Sequence, residues 1–338
     1  MRGRSRRQFL QGSLVLAGSA LLSGCGLLPP RPPRVARVPR IGYFSANSQL
    51  DQPAFWLDAL REGLHEAGYV EGQTITIDER WADGRNERLP DLAAELVREN
   101  VDVIVTTTSG ATQAAQRATS TIPIVMTGVG DPVELGVVTS LARPGGNLTG
   151  LTNVAPEVTP KRLQLLQECV RGLARVGVLY QAEGPGRIRA FQEAEGAART
   201  LGLQVLPLVV RVGDDLAAAL DGAVGEGVEA LIVLGGTAVR AQRGATVVGL
   251  AAQHRLPVMY DSAVFTEAGG LMFYAANAAD QYRRAASYVD RILRGAQPAD
   301  LPIERPTRFD FVINLQAARI IGLTIPPSVL AQATEVIQ

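Results

Sequence analysis

The sequence predicts an α/β protein of two doubly wound parallel-sheet lobes joined by a hinge of several chain crossings. Three observations carry that prediction. Strand and helix signals alternate from Ile41 onward. The alternation runs through once and then begins again. The chain after Ile41, about 300 residues, is longer than a single hydrophobic core usually holds.

In the first block, short runs rich in β-branched residues are bounded by Gly, Pro, Asn or Ser and read as strands. They are Ile41–Phe44, Ile75–Glu79, Val103–Thr106, Ile122–Met126 and Leu148–Leu151. Between them, residues 54–67 place Trp56, Leu60, Leu64 and Ala67 on one helical face. Residues 88–98 do the same with Leu89, Leu92, Ala93, Leu96 and Val97. The second block repeats the scheme with strands at Val176–Tyr180, Gln204–Val210, Ala230–Leu234, Pro257–Tyr260 and Leu271–Tyr274. Its helices are at 187–200, 215–225 and 238–253. The stretch Thr121–Met126 is answered by Arg255–Tyr260, each with a proline at its third position.

Alternating β and α units make parallel sheets covered on both faces. The tail adds a helix carrying Tyr282, Ala285, Ala286 and Val289, stopped by Gly295 and Pro298, and then a strand at Phe309–Asn314. A tail that returns to the first lobe gives several crossings and hence a hinge. The expected division is 41–150 with about 278–303 in the first lobe. The second takes 151–277 with about 304–338.

The first 40 residues read as address and tether rather than fold. Twin arginines, Arg6 and Arg7, precede an apolar run from Leu14 to Leu22. That run is shorter than the ~20 apolar residues needed to span a bilayer. A basic start before a short apolar stretch is an export signal, and the paired arginines point to the twin-arginine route. Leu22-Ser23-Gly24-Cys25 resembles a lipobox, so Cys25 is the expected lipidation site; the alternative is an ordinary signal peptide with a chance cysteine. Residues 27–40 hold five prolines and four arginines and suit an extended tether. A lipid there holds the protein on a membrane surface without a spanning helix.

The chain has 33 basic and 33 acidic residues. Removing the four arginines of residues 1–24 and the four of residues 27–40 leaves 25 basic against 33 acidic, a charge of −8. That excludes a nucleic-acid partner, whose footprint is basic. With Cys25 lipidated, the second of the two cysteines, Cys169, has no disulfide partner. It shares an apolar helix face with Leu163, Leu166 and Val170 and reads as core.

In open parallel sheets a ligand lies beyond the carboxyl ends of the strands. Helix N-termini there offer free N–H groups and partial positive charge. Those loops are short and polar. In the first block they supply Ser45 and Asn47, Thr108 and Ser109, and Gly128 and Asp131, with Asn153 after the last strand. In the second they supply Tyr180, Gly236 and Thr237, and Asp261. Hydroxyls and glycine amides at helix starts suit a carboxylate, although a lone Ser or Thr there is often only a cap. Asp131 and Asp261 are placed to oppose an ammonium group, and Tyr180, Tyr260 and Phe265 to wall an apolar side chain. Together these residues suggest an amino acid or another small carboxylate.

Catalytic signatures are weak. The two histidines, His65 and His254, lack metal-ligand spacing. No G-x-S-x-G occurs. Gly128-Val129-Gly130 lacks the third glycine of a dinucleotide turn. The only lysine, Lys161, opens a helix and reads as a surface residue. No metal or cofactor is expected.

Longer motifs add a resemblance. Ile122–Val125 with Asp131–Val133, Ser140–Gly150, Lys161–Leu166, Ala268–Met272, Tyr288–Gly295, Pro298–Pro302 and Ile313–Leu315 through Gly322–Pro327 span nearly the whole chain after Ile41. In these stretches the sequence resembles the ABC-transporter substrate-binding family that includes tryptophan and tyrosine binders. It departs at Ala275, where the family pattern has glycine, and at Ala331–Thr334, which replaces a more charged ending. The resemblance implies a type I periplasmic-binding-protein fold. It implies a protein that closes on a small ligand and delivers it to a membrane permease with its ATPase; the chain is expected to act as a monomer. The resemblance also implies that Leu141–Gly150 serves the hinge and lobe packing. A sensor subunit and an exported enzyme are the competing readings. A signalling partner would mark the first, and turnover of amino-acid-like compounds the second.

Overall fold

From Ile41 to Ser45 every residue of the first strand is buried, as a strand covered on both faces requires. In the computed structural model, which describes residues 37–49, 54–155, 157–181, 185–211, 215–234 and 237–338, this strand is the second of five. The export signal and Cys25 lie outside the described residues, as does Gly236. The folded body runs from Pro39 to Gln338.

The first sheet contains β1 (Arg40–Ser45), β2 (Thr76–Trp81), β3 (Val103–Thr106), β4 (Ile124–Val129) and β5 (Leu148–Thr152). All run parallel, in the order β2-β1-β3-β4-β5. Side chains alternate between its faces. Tyr43, Val103, Val105 and Val125 meet α1 (Ala54–Glu66) and the later helix α9 (Ala278–Leu293). Phe44, Ile104 and Met126 meet α2 (Leu89–Arg98) and α3 (Ser109–Ala118). Gly150 makes the β4–β5 contact possible: its φ is +128°, and a Cβ there would lie 2.2 Å from the Met126 carbonyl oxygen.

The chain then enters the second lobe through α4 (Val158–Cys169), where Leu163, Leu166 and Cys169 are buried together. Five strands follow: β6 (Arg175–Gln181), β7 (Gln204–Val210), β8 (Ala230–Leu234), β9 (Val258–Tyr260) and β10 (Met272–Ala276). They alternate with α5 (Pro185–Thr200), α6 (Leu216–Gly225), α7 (Thr237–Gln253) and α8 (Ala263–Glu267). Their order, β7-β6-β8-β9-β10, repeats that of the first sheet. The two lobes are thus built on one plan.

α9 returns to the first lobe and packs along α1. Gly63 is the contact point, where a Cβ would sit 2.6 Å from the Arg283 carbonyl oxygen. The chain then crosses back to form β11 (Phe309–Asn314), α10 (Leu315–Ile321), α11 (Pro327–Leu330) and β12 (Glu335–Ile337). The five-strand parallel core of this sheet is thereby extended by two tail strands: β11 runs antiparallel to β10, and β12 runs parallel to β11. The reason is topological. β10 leaves the sheet at the end facing the other lobe, so a segment arriving from that lobe must run the opposite way.

Three crossings therefore join the lobes, between β5 and α4, between β10 and α9, and before β11. They are tied by main-chain bonds. The Thr152 amide donates to the Glu304 carbonyl at 2.9 Å, and the Glu304 amide donates to the Gly150 carbonyl at 3.0 Å. The Leu141 carbonyl accepts from the Ile303 amide at 2.8 Å, so the Leu141–Gly150 motif holds the third crossing at both of its ends. No helix among the described residues is long and apolar enough to cross a membrane.

Candidate ligand-binding site

The first four sheet positions of each lobe send their carboxyl ends into short loops, and the predicted site residues stand there. Ser45 ends β1 fully buried, its Oγ accepting from the Asn47 amide at 3.2 Å. Thr108 caps α3: its Oγ1 accepts from the Ala111 amide at 3.3 Å. The same oxygen accepts from the Ala46 amide at 3.4 Å, which binds the first and third loops together. Ser45, Asn47, Thr108 and Ser109 thus form one cluster. Most of the hydroxyl capacity of Thr108 goes to the fold. Ser109 is the first residue of α3, whose first-turn amides have no intrahelical acceptor.

Gly128 sits at a register shift in β4 with φ +66°. A Cβ there would lie 2.8 Å from the Thr107 carbonyl oxygen and 3.9 Å from Tyr282 Oη. Asp131 follows, and its Oδ1 accepts from the Val133 amide at 2.9 Å and the Glu134 amide at 3.2 Å. It therefore shapes its own turn. Asn153 lies exposed at the first crossing, its amide donating to the Val129 carbonyl at 2.6 Å.

On the second lobe, Tyr180, next to last in β6, stacks on Phe191 of α5, ring centroids 5.0 Å apart. Asp261 follows β9 and is half-buried. The side chain of Thr237 is not among those described. Tyr260 and Phe265 depart from expectation. They stack on each other at 4.6 Å within the core, 1% and 0% exposed, and present no wall. The cause is α8, a short helix that folds Phe265 back onto β9.

Sequence reasoning passed over several aromatic residues at the same end of the sheets. Trp56, in the first turn of α1, stacks on Tyr282 of α9 at 5.6 Å and 23°. Tyr274 of β10 stacks on Phe309 of β11 at 5.5 Å, beside the crossings. The Arg162 Nε donates to the Tyr274 carbonyl at 2.7 Å and secures α4 to that strand. Trp56–Tyr282 in the first lobe, Tyr180–Phe191 in the second and Tyr274–Phe309 beside the crossings are thus stacked pairs outside the Tyr260–Phe265 core stack. The signal in the sequence was an aromatic residue early in a helix that follows a first strand, Trp56 in one lobe and Phe191 in the other.

A separate hollow of about 400 Å³ lies between the end of α1 and the start of β2, lined by Leu64, His65, Tyr69 and Ile75. It is at the opposite end of the sheet from the helix N-termini. The Arg61–Glu71 ion pair at 2.9 Å borders it. Among the described residues no group of His, Cys, Asp and Glu is arranged to hold a metal ion.

Two lobes of one plan, linked by three crossings at the carboxyl ends of their sheets, define the class of two-lobed solute-binding proteins. Residues 52–337 match ABC transporter substrate binding proteins, and the chain belongs to that family. A structure of an ABC domain in complex with L-Trp from Streptococcus pneumoniae is similar, with 26% identity and a TM-score of 0.78. That match covers 88% of this chain and 99% of that one. A conserved domain protein from Vibrio cholerae O1 biovar El Tor is similar at 28% identity and a TM-score of 0.76, again over 88% and 99%. A tyrosine-binding protein of Clostridioides difficile (strain R20291) is 24% identical over 262 residues, which are 76% of this chain and 75% of that one.

Proposed function

We propose that this protein is the solute-binding lipoprotein of an ABC import system. It captures an amino acid in the cleft between its lobes and delivers it to a membrane permease coupled to an ATPase. The observation that carries this reading is the convergence of polar loops and helix N-termini at the facing ends of two like-built sheets. Closure of the lobes draws energy only from contacts the ligand makes with both at once.

The aromatic pairs Trp56–Tyr282 and Tyr180–Phe191 favour a ligand with an aromatic side chain. Offset rings contribute beyond their buried area. The tyrosine-binding relative and the L-Trp complex support the same choice. In this reading Ser45, Asn47, Thr108, Ser109, Gly128, Asp131, Asn153, Tyr180, Gly236, Thr237 and Asp261 line or shape the cleft. Residues 41–150 with about 278–303 form one closing body, and 151–277 with about 304–338 the other. The twin-arginine segment exports the chain and Cys25 carries the lipid, which holds the protein, as a monomer, on a membrane facing the periplasm or the cell exterior.

Thermal melting of the purified protein against each amino acid tests the proposal. A true ligand at a hundredfold excess over its dissociation constant adds about 2.7 kcal/mol of stability. Tryptophan, tyrosine or phenylalanine should raise the melting temperature. If no amino acid does, the reading fails. Labelled fatty acid should enter the wild-type protein in cells and not the Cys25→Ala variant.

A further inference from the structure

The hollow between the end of α1 and the start of β2 lies at the far end of the first sheet from the cleft. Its volume, about 400 Å³, falls in the range that holds small ligands. Its floor is apolar. Leu64 and Ile75 rise from the core of the first lobe, and Ile77 and Val70 complete the surface. Val70 is 39% exposed, so part of that apolar lining stands open to solvent.

The wall of the hollow is held in shape by its own bonds. After α1 the chain closes on itself: the Val70 carbonyl accepts from the Gln73, Thr74 and Ile75 amides at 3.0, 2.9 and 3.3 Å. The Val70 amide donates to Thr74 Oγ1 at 2.7 Å. Gly68 and Gly72 supply the positive φ, +94° and +78°, at the two bends. Tyr69 is fixed from the side, its Oη donating to Asp290 Oδ1 of α9 at 3.1 Å. The hollow is therefore formed before anything enters it.

Charge decides what fits. Glu62, Glu66 and Glu71 stand on the rim with Arg61 and His65. Arg61 is already surrounded: it pairs with Asp58 at 3.2 Å and with Glu71 and Glu79, each at 2.9 Å. Arg283 of α9 pairs with Glu62 and, at 3.7 Å, with Glu66. Five carboxylates thus answer two guanidiniums, an excess of three negative charges. Glu66 also ends α1, and the C-terminus of a helix carries partial negative charge. An anion entering here meets repulsion. A cation with an apolar body meets carboxylates at the rim and aliphatic carbon beneath.

We propose that this hollow is a second ligand site, separate from the cleft, for a small organic cation. The class is an amine whose ammonium sits among Glu62, Glu66 and Glu71 and whose apolar body rests on Leu64, Val70, Ile75 and Ile77. The volume and the fixed wall make it a site, and the charge selects the class. A free amino acid is disfavoured, because the acidic rim opposes its carboxylate.

Calorimetric titration of the full-length protein with tryptamine and tyramine tests this. Methylamine and indole-3-propionate are the controls. Tryptamine or tyramine should bind once per chain. Methylamine lacks the apolar body and indole-3-propionate carries the opposite charge, so each should bind at least about tenfold more weakly. Exposed ion pairs are individually modest, so Glu66→Gln should weaken the amines about threefold, and the charge reversal Glu66→Lys about tenfold. Glu66 is exposed, so both variants should melt as the wild type does. Added L-tryptophan should leave the amine titration unchanged. Failure of both amines to bind, equal binding of indole-3-propionate, amine binding that survives Glu66→Lys, or displacement of the amine by L-tryptophan each overturns the second site.

Discussion

The Asn277 amide donates to the Arg308 carbonyl at 2.9 Å, joining the second chain crossing to the third. The Asn277 side chain works on both sides of that joint. Its Oδ1 accepts from the Asp280 amide at 2.6 Å and caps α9, while its Nδ2 donates to Asp310 Oδ1 at 2.8 Å. Asn277→Ala should cost about 1 kcal/mol through the cap alone. Urea denaturation measures this, and ligand affinity should shift as well because the open–closed balance passes through the same residue.

Gly150 lies where β5 meets both β4 and the third crossing. With φ +128° and the Met126 carbonyl in the way of any Cβ, Gly150→Ala should cost at least ~2 kcal/mol. Gly72, also at positive φ (+78°) but with nothing within 4 Å, should tolerate alanine better. Equal melting temperatures for the two variants would contradict the packing described.

Asp131 has two tasks that one substitution can separate. Its Oδ1 caps the turn at Val133 and Glu134. Asp131→Asn keeps the acceptor and removes the charge, whereas Asp131→Ala removes both. If the carboxylate also faces a ligand ammonium, the asparagine variant should bind an amino acid about tenfold more weakly and bind the matching des-amino acid unchanged. Asp261→Asn should behave likewise. Titration calorimetry with the paired ligands gives the answer.

Burial, helped by the nearby Glu168 charge, pushes the Cys169 thiol up to about 12. At pH 8 it should resist alkylation in the native protein and react once urea unfolds the chain. Mass spectrometry of the Cys169 peptide follows this directly.

Glu229 accepts the Ala174 amide at 2.7 Å and the Arg175 amide at 3.0 Å. These bonds favour the ionised form and lower its pKa. The stability so gained is present above the usual glutamate value of about 4.3 and is lost as pH falls through the depressed one. Glu229→Gln should therefore be less stable than wild type at pH 7, with the gap shrinking in acid. Urea melts at pH 7 and pH 3 compare the two.

Much of this architecture is legible in local pattern. Gln204–Val210, Ala230–Leu234 and Phe309–Asn314 begin and end where their apolar runs do. The helix Ser109–Ala118 escaped because its buried positions are alanines and a threonine, which give no apolar stripe. The strand Glu335–Ile337 has only three residues and forms through pairing with Val312–Asn314. Its orientation, like that of β11, depends on where the chain comes from and not on any residue in it. At the site, capping residues such as Thr108 could be read from their position before a helix. Tyr260 and Phe265 were misjudged because a stack inside one lobe is decided by a neighbouring short helix. Trp56 and Tyr282 come from segments far apart in sequence, and only the packing of α1 on α9 reveals them as neighbours.

The crossings are stitched by peptide groups: Thr152 to Glu304, Glu304 to Gly150, Asn277 to Arg308. A backbone stitch survives almost any exchange of side chains. The joint can therefore be inherited intact while the residues around it drift, and relatives sharing about a quarter of their sequence keep the fold. In the function proposed above, selection is left free to retune the loops for new cargo without rebuilding the joint between the lobes.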